Sequence, residues 1–180
     1  MAVRRRVRAS EVRLTKTPTD AESAITRTSA TAEQELRSFI AKFDPKNQAL
    51  IRAVRRVLRS RLRGAWELVY DNYNFFVIGY GPTERPSDCI VSIAAGASGV
   101  GLCFIHGAGL PDPGGLLLGS GKQTRFIRLD SAAVLARPAV RALLAAAIAR
   151  ARTPFPDRGR GTLVIRSIST KQRPRRRKTG

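Results

Sequence analysis

Apolar residues at helical spacing open the predicted domain. The first group consists of Leu36, Phe39, Ile40 and Phe43. These residues share one face of a helix that we expect to begin at Thr31, because Thr31 and Gln34 have the spacing of a capping box. Asp44 followed by Pro45 is typical of a helix start. It predicts a second helix that runs to about Arg63.

Five strand-like apolar runs follow the helices, at residues 75–80, 90–95, 100–105, 124–129 and 162–168. The second and third runs are joined by a short glycine-containing turn, which is typical of a hairpin. Pro138 predicts the start of one more helix between the last two runs. Short turns between strands, with helices at the ends, indicate an α+β fold. We expect an antiparallel sheet of about five strands, with two N-terminal helices and one C-terminal helix packed on it.

Basic side chains are concentrated at the two ends of the chain. The formal net charge is +20, from 33 Lys and Arg against 13 Asp and Glu. Residues 1–29 contribute +4, residues 30–151 contribute +7 and residues 152–180 contribute +9. We therefore predict a disordered basic N-terminal tail at 1–29, a single domain at 30–168 and a disordered basic C-terminal tail at 169–180.

Arginines on the second predicted helix suggest a surface for polyanions. Arg55 and Arg63 belong to this outer row, together with three of the candidates below. The alternative is an ordinary solvated helix face, and for the C-terminal block a solubilising tail. The C-terminal block has no aromatic residues for base stacking, so any nucleic-acid contact by it would be directed at phosphates. The polyanion-binding candidates are Arg52, Arg56, Arg59, Arg173, Arg175, Arg176, Arg177 and Lys178.

Four ordered segments carry a family resemblance. They are ELVYDNYN at 67–74, GYGPTERPSD at 79–88, HGAGLPDP at 106–113 and LGSGK at 118–122. Together they resemble the YdhG-like family of uncharacterised bacterial domains, over about residues 31–151. The resemblance implies a small α+β domain with an antiparallel sheet, and most members have no assigned activity. One branch is described as frataxin-like, an iron chaperone whose carboxylates face the metal, whereas the second helix here offers arginines.

Two polar segments supply the candidates for ligand binding. One is the aromatic and hydrogen-bonding cluster at 70–74, and the other is the Gly- and Pro-rich loop at 106–122. A ligand pocket needs a few convergent polar groups on an apolar wall, so we expect the two segments to meet. The alternative is a hydrogen-bonded brace of two loops. The ligand-binding candidates are Tyr70, Asp71, Tyr73, Asn74, His106, Asp112 and Lys122.

Motifs for catalysis or cofactor binding are incomplete in this sequence. Lys122 is preceded by glycines, but a phosphate-binding loop would need Gly in place of Leu116 and Ser or Thr in place of Gln123. His106 is the sole histidine, and in a strand it would point away from the face of Cys103. That argues against a zinc site. We predict no cofactor, no metal and no catalytic residue, and we favour a protein that is not an enzyme.

The cysteines and the apolar runs indicate a compartment. Cys89 and Cys103 lack C-x-x-C spacing and are expected to be free, buried thiols. The N-terminal arginines are not followed by the apolar core of a secretory signal. The longest apolar run, at 142–149, is too short to span a bilayer. We expect a cytoplasmic protein without a membrane partner.

Three functional hypotheses follow. The first is a cytosolic, non-enzymatic domain that binds a small ligand or a protein partner through the 70–74 cluster and the 106–122 loop. The second is a nucleic-acid-associated accessory protein that uses its basic tails for non-specific contacts. The third is a frataxin-like iron chaperone, as one branch of the resembled family would imply.

Overall fold

The computed structural model describes residues 20–156, 159 and 161–177. Three α-helices are present in this part of the chain: α1 (Asp20–Ala41), α2 (Pro45–Arg61) and α3 (Pro138–Ala149). The strands are β1 (Trp66–Asp71), β2 (Phe76–Gly81), β3 (Val91–Gly96), β4 (Gly99–Phe104), β5 (Arg125–Leu129) and β6 (Leu163–Ile168). Short 3-10 turns lie at Pro86–Asp88, Gly107–Gly109 and Ala132–Ala136. The fold class is α+β, as predicted.

The six strands form one mixed sheet in the order β5-β4-β3-β2-β1-β6. Strands β1 to β5 pair antiparallel with their neighbours, whereas β6 pairs parallel to β1. The prediction of about five antiparallel strands is therefore wrong in number and in direction. The missed strand is β1. Its polar residues Glu67 and Asp71 are 3% and 0% exposed, so apolar periodicity did not reveal it.

The start of α1 differs from the prediction. The helix begins at Asp20 rather than at Thr31, so residues 20–29 of the predicted tail are helical. Residues 1–19 lie outside the described part of the chain. The start of α2 is confirmed, because the Asp44 carboxylate accepts a hydrogen bond of 2.9 Å from the backbone N–H of Asn47 and Pro45 is the first helical residue.

Apolar side chains from the helices bury one face of the sheet. Leu36 of α1 and Leu58 of α2 are fully buried, as is Phe43, which follows the end of α1. The rings of Phe39 and Phe43 pack against Phe76 of β2, with centroids 6.3 Å and 5.9 Å apart. The start of α3 at Pro138 is confirmed, and its buried residues are Val140, Leu143, Leu144 and Ala147. The helix layer thus covers the sheet face that contains Glu67 and Asp71.

The loop at 106–122 begins with a turn that requires glycine. A Cβ at Gly107 would lie 2.6 Å from the Arg125 Cβ and 3.0 Å from the Phe104 Cβ, which is closer than such atoms approach. Further along, Leu118 forms an isolated antiparallel bridge with Phe126 of β5. The loop is therefore tied to the β4–β5 side of the sheet.

Candidate functional site

The two predicted ligand-binding segments lie at opposite ends of the sheet. Asp71 is at the edge where β1 ends and β2 begins, in register with Phe76. His106 follows the end of β4, beyond Phe104, which is in register with Val91 at the start of β3. Strand geometry separates the two corners by roughly 20 Å. The structure does not bring the segments together, and the prediction of a pocket between them is wrong.

Asp71 is occupied by partners from within the chain. One carboxylate oxygen lies 2.5 Å from the Lys42 ammonium nitrogen, and the other accepts a hydrogen bond of 2.9 Å from the Arg175 guanidinium. The Gln172 amide donates to the Asp71 backbone carbonyl at 3.0 Å. Asp71 therefore holds the C-terminal segment, and each of its carboxylate oxygens already has a cationic partner.

Residues 169–177, which we call the C-terminal strap, pack against the domain. Arg175 is 4% exposed, and its guanidinium also lies 6.0 Å from the ring centroid of Phe43. The Arg176 guanidinium donates to the carbonyls of Ala41, Lys42 and Phe43, where α1 ends. Exposed carbonyls at a helix C-terminus attract cations. The prediction of a disordered tail is wrong through Arg177, while Lys178 lies outside the described residues.

The rest of the 70–74 cluster is dispersed. Tyr70 is half-buried on the sheet face opposite Asp71, and burial raises the pKa of its hydroxyl. Tyr73 is 49% exposed and lies under the Arg173 guanidinium, 5.6 Å from the ring centroid. Asn74 is exposed. These side chains do not converge on one point, which agrees with a structural role for the cluster.

The loop candidates have separate positions. The Asp112 carboxylate accepts hydrogen bonds of 3.0 Å and 2.8 Å from the backbone N–H groups of Leu116 and Leu117, so it braces the loop. Lys122 is exposed in a turn. His106 lines a cavity, and it does so from an exposed position just after the end of β4.

That cavity, which we call the β4-end cavity, has a volume of about 470 Å³. It lies between the turn at residues 86–90, the end of β4 and the segment that follows α3. Its apolar lining includes Ile90, Phe104, Leu110 and Ala147, each at most 9% exposed. Its polar lining includes Asp88, His106, Gln123, Arg150 and Arg152. An apolar wall with a few polar groups is the usual composition of a small-molecule site.

Sequence reasoning missed Arg150 and Arg152 as site residues. They follow the alanine-rich helix α3, where a change from apolar to basic residues indicates only a helix end. Their position beside the turn at 86–90 depends on long-range packing. The Arg150 guanidinium donates to the Gly109 carbonyl, whereas Arg152 forms no ion pair with any described residue.

Cys89 also lines this cavity, but its thiol is suited to packing. Burial, together with the nearby Asp88, raises its pKa to about 11. A reactive cysteine needs the thiolate form near neutral pH. This environment disfavours Cys89 as a nucleophile beside His106.

We expect Cys89 to resist thiol reagents in the folded protein. At about pH 8, a pKa of about 11 leaves about one thiol in a thousand ionised, against roughly a quarter for an unperturbed cysteine. The measurement is the rate of reaction with a disulfide reagent in Cys103→Ser, which leaves Cys89 alone. The reaction should be at least about a hundredfold slower than in denaturant. Similar rates in the two states would contradict this environment.

A second polar cluster lies under α2, and we call its four residues the charge network: Glu33, Arg55, Arg59 and Glu67. Arg55 is not on the outer face predicted for it. Its guanidinium lies 2.6 Å from the Glu33 carboxylate and 2.7 Å from the Glu67 carboxylate. Arg59 is 3.1 Å from Glu33 and 3.9 Å from Glu67. Both cations are thus neutralised, so Arg59 is a poor polyanion candidate.

The electrostatics of the charge network favour its ionised form. Burial alone would lower the pKa of Arg55, but hydrogen bonds to Glu33 and Glu67 outweigh this and raise it. The hydrogen bond from Arg55 holds the pKa of Glu33 below its usual value. Burial raises the pKa of the neighbouring Tyr80, with Glu67 adding to the effect. The network therefore links α1, α2 and β1 as a structural unit.

Among the residues that the structure describes, no group of three or more His, Cys, Asp or Glu could hold a metal ion. The frataxin-like alternative therefore gains no support from this part of the chain. In the same part, no helix is both long and apolar enough to cross a bilayer.

Comparisons with known proteins add no relative. No family model, no curated protein and no solved structure matches the chain. The resemblance to the YdhG-like family stays a prediction.

Proposed function

We propose that this α+β domain binds a small ligand non-covalently in the β4-end cavity. The ligand would carry an anionic group on an apolar body, such as a small aromatic or aliphatic carboxylate. The observation that supports this is the combination of a cavity of about 470 Å³ with a buried apolar wall and two arginines in its lining. This proposal keeps the hypothesis of a ligand-binding domain but places the ligand in the β4-end cavity, away from the 70–74 cluster.

The charges around the cavity favour an anion. Among the described residues, Asp88 is the only carboxylate in the lining, and it already accepts a hydrogen bond of 2.6 Å from the Thr83 hydroxyl. Arg150 and Arg152 are exposed, and a guanidinium has five N–H donors. Arg150 uses one of its nitrogens for the Gly109 carbonyl and keeps others for a ligand. Guanidinium groups match the planar geometry of a carboxylate.

The cavity chemistry does not call for catalysis. The raised pKa of Cys89 keeps its thiol protonated. Among the described lining residues, Asp88 is the only carboxylate that could orient His106 as a base, and it is bonded to Thr83. Binding by an apolar wall and a cationic rim requires neither a nucleophile nor a cofactor.

The test compares each carboxylate with its uncharged analogue. We expect benzoate or hexanoate to raise the melting temperature of the protein, and benzamide or hexanamide to raise it less, because only the anions engage the arginines. Arg152→Gln should raise the dissociation constant for the anions, measured from the concentration dependence of the shift, at least about threefold, which is a loss of roughly 0.6 kcal/mol or more. The matched control is Arg128→Gln, an exposed arginine on β5 outside the cavity.

Two outcomes would contradict the proposal. One is the absence of any thermal shift with either anion at millimolar concentration. The other is an equal loss in Arg152→Gln and Arg128→Gln, which would mean that net charge alone attracts the anions.

A further inference from the structure

The outer face of α2 carries cations that nothing in the described chain neutralises. The face includes Lys46, Arg52 and Arg56 of α2, and Arg63 lies two residues after the helix ends; all four are exposed. α2 itself contains no Asp or Glu. Arg52 donates to the neighbouring Gln48 at 3.1 Å, and none of the four forms an ion pair with a described residue. We call these four residues the α2 cationic face.

The structure separates this face from the other basic residues of the chain. Arg55 and Arg59 are paired in the charge network, and Arg175 is buried against Asp71. The four cations of the α2 cationic face thus have no ion-pair partner in the part of the chain that the structure describes, within a protein of net charge +20. Arg137 and Arg141 are exposed at the start of α3 and add two cations that form no ion pair with a described residue to the same helix layer.

The spacing on α2 fits a repeating polyanion. Arg52 and Arg56 are one helical turn apart, about 6 Å along the helix axis, and Arg63 lies two residues beyond the last helical residue. The small side chains of Ala49, Ala53 and Ser60 lie between the cations on this face. They leave the helix backbone open to close approach by a broad, charged surface such as a phosphate backbone.

The absence of exposed apolar groups on this face narrows the class of partner. Among the described residues, the exposed large hydrophobics are Tyr73, Phe75, Leu118 and Ile168, and none of them lies on a helix. Single-stranded nucleic acid is bound through stacking on aromatic side chains. Amphipathic helices at membranes insert large apolar residues. Neither mode has its residues here.

We propose that the α2 cationic face docks on the phosphate backbone of double-stranded nucleic acid, independently of sequence. This site is separate from the β4-end cavity and does not use the basic tails. Each cation that displaces a counterion contributes to the salt dependence of binding, with a slope of about 0.9 per phosphate. Three arginines should account for a change of about 3 in that slope.

The experiment measures binding to a fluorescent DNA duplex of about 20 base pairs at salt concentrations from about 50 to about 200 mM. The test variant is Arg52→Gln/Arg56→Gln/Arg63→Gln. The matched control is Arg85→Gln/Lys122→Gln/Arg128→Gln, which removes the same number of exposed cations outside the helix layer. Unchanged melting temperatures show that both variants remain folded.

We expect the test variant to bind the duplex at least about tenfold more weakly at low salt, with the slope reduced by about 3. The control should lose less than about threefold. An equal loss in both variants would overturn the proposal, because net charge alone would then explain binding. Unchanged binding by the test variant would also overturn it, as would tighter binding to a single strand or to phosphatidylglycerol vesicles than to the duplex.

Discussion

Replacing Asp71 with Ala is expected to lower the free energy of unfolding by about 3–5 kcal/mol. The Asp71 carboxylate is 1% exposed, and it is the ion-pair partner of Arg175, whose side chain is 2% exposed. Its removal leaves a guanidinium buried without a counter-charge, which is among the most costly single changes in a folded protein. A loss of this size should lower the melting temperature by roughly 10 °C. Chemical or thermal denaturation of the purified variant measures it.

The strap offers a matched control for this prediction. Arg177 is also an arginine of the strap, two residues further on, but it is exposed. Arg175→Ala should be strongly destabilising, since it leaves the Asp71 carboxylate with Lys42 alone, whereas Arg177→Ala should change stability by less than about 0.5 kcal/mol. Equal, small effects for Asp71→Ala, Arg175→Ala and Arg177→Ala would show that the strap does not dock in solution.

Because the C-terminal strap packs against the domain, the basic C-terminus cannot be treated as a solvated tail. Its charge block, taken by composition alone, is indistinguishable from a solvated tail. In the structure, Asp71 neutralises Arg175 and the carbonyls at the end of α1 accept from Arg176. Deleting residues 169–180 would therefore test folding rather than nucleic-acid binding. Substitutions on α2 are a cleaner test of polyanion contact.

The helices and five of the six strands could be predicted from apolar periodicity. β1 could not, because Glu67 and Asp71 take inward positions that apolar residues usually occupy, and their partners come from distant parts of the chain. The buried Glu67 carboxylate forms an ion pair with Arg55. The Asp71 carboxylate forms ion pairs with Lys42 and Arg175. The parallel pairing of β6 beside β1 is likewise a long-range contact. Local sequence patterns contain no information on either.

The candidate site was predictable only in part. The sequence indicates His106 as a ligand-binding candidate because it is the sole histidine and lies beside a glycine-rich loop, and it does line a cavity. The residues that complete the cavity come from the turn at 86–90 and the segment after α3, which are far from His106 in sequence. The predicted pocket between the 106–122 loop and the 70–74 cluster is wrong, because β4 and β1, which lead into these segments, finish at opposite ends of the sheet.

The second large effect concerns Arg55 at the centre of the charge network. Its guanidinium donates two hydrogen bonds to the Glu67 carboxylate, at 2.9 Å and 2.7 Å. It donates two more to Glu33, at 2.9 Å and 2.6 Å. Arg55→Leu leaves the Glu67 side chain, 4% exposed, with only Arg59 at 3.9 Å. We expect a loss of about 3–5 kcal/mol in the free energy of unfolding.

The adjacent Arg56 supplies the control for this variant. Arg56→Leu makes the same change on the exposed face of α2 and should alter stability by less than about 0.5 kcal/mol. In the double variant Arg55→Leu/Glu67→Leu, both members of the buried pair are replaced by apolar groups. Such replacements are often close to neutral, so the double variant should recover most of the loss. A double variant that is less stable than Arg55→Leu would show that the network does not act through charge.

The loss of stability caused by Arg55→Leu should become smaller as the pH falls. Arg55 lowers the folded-state pKa of Glu33 below the usual 4.5, so the stabilisation from this carboxylate is complete above that value and is lost as the pH falls through the lowered pKa. The variant lacks this contribution. The difference in stability between wild type and variant should therefore be largest near neutral pH and shrink below about pH 4. Urea denaturation at several pH values measures it, and a difference that grows as the pH falls would contradict the ion pair, because protonating Glu33 removes the charge that Arg55 neutralises.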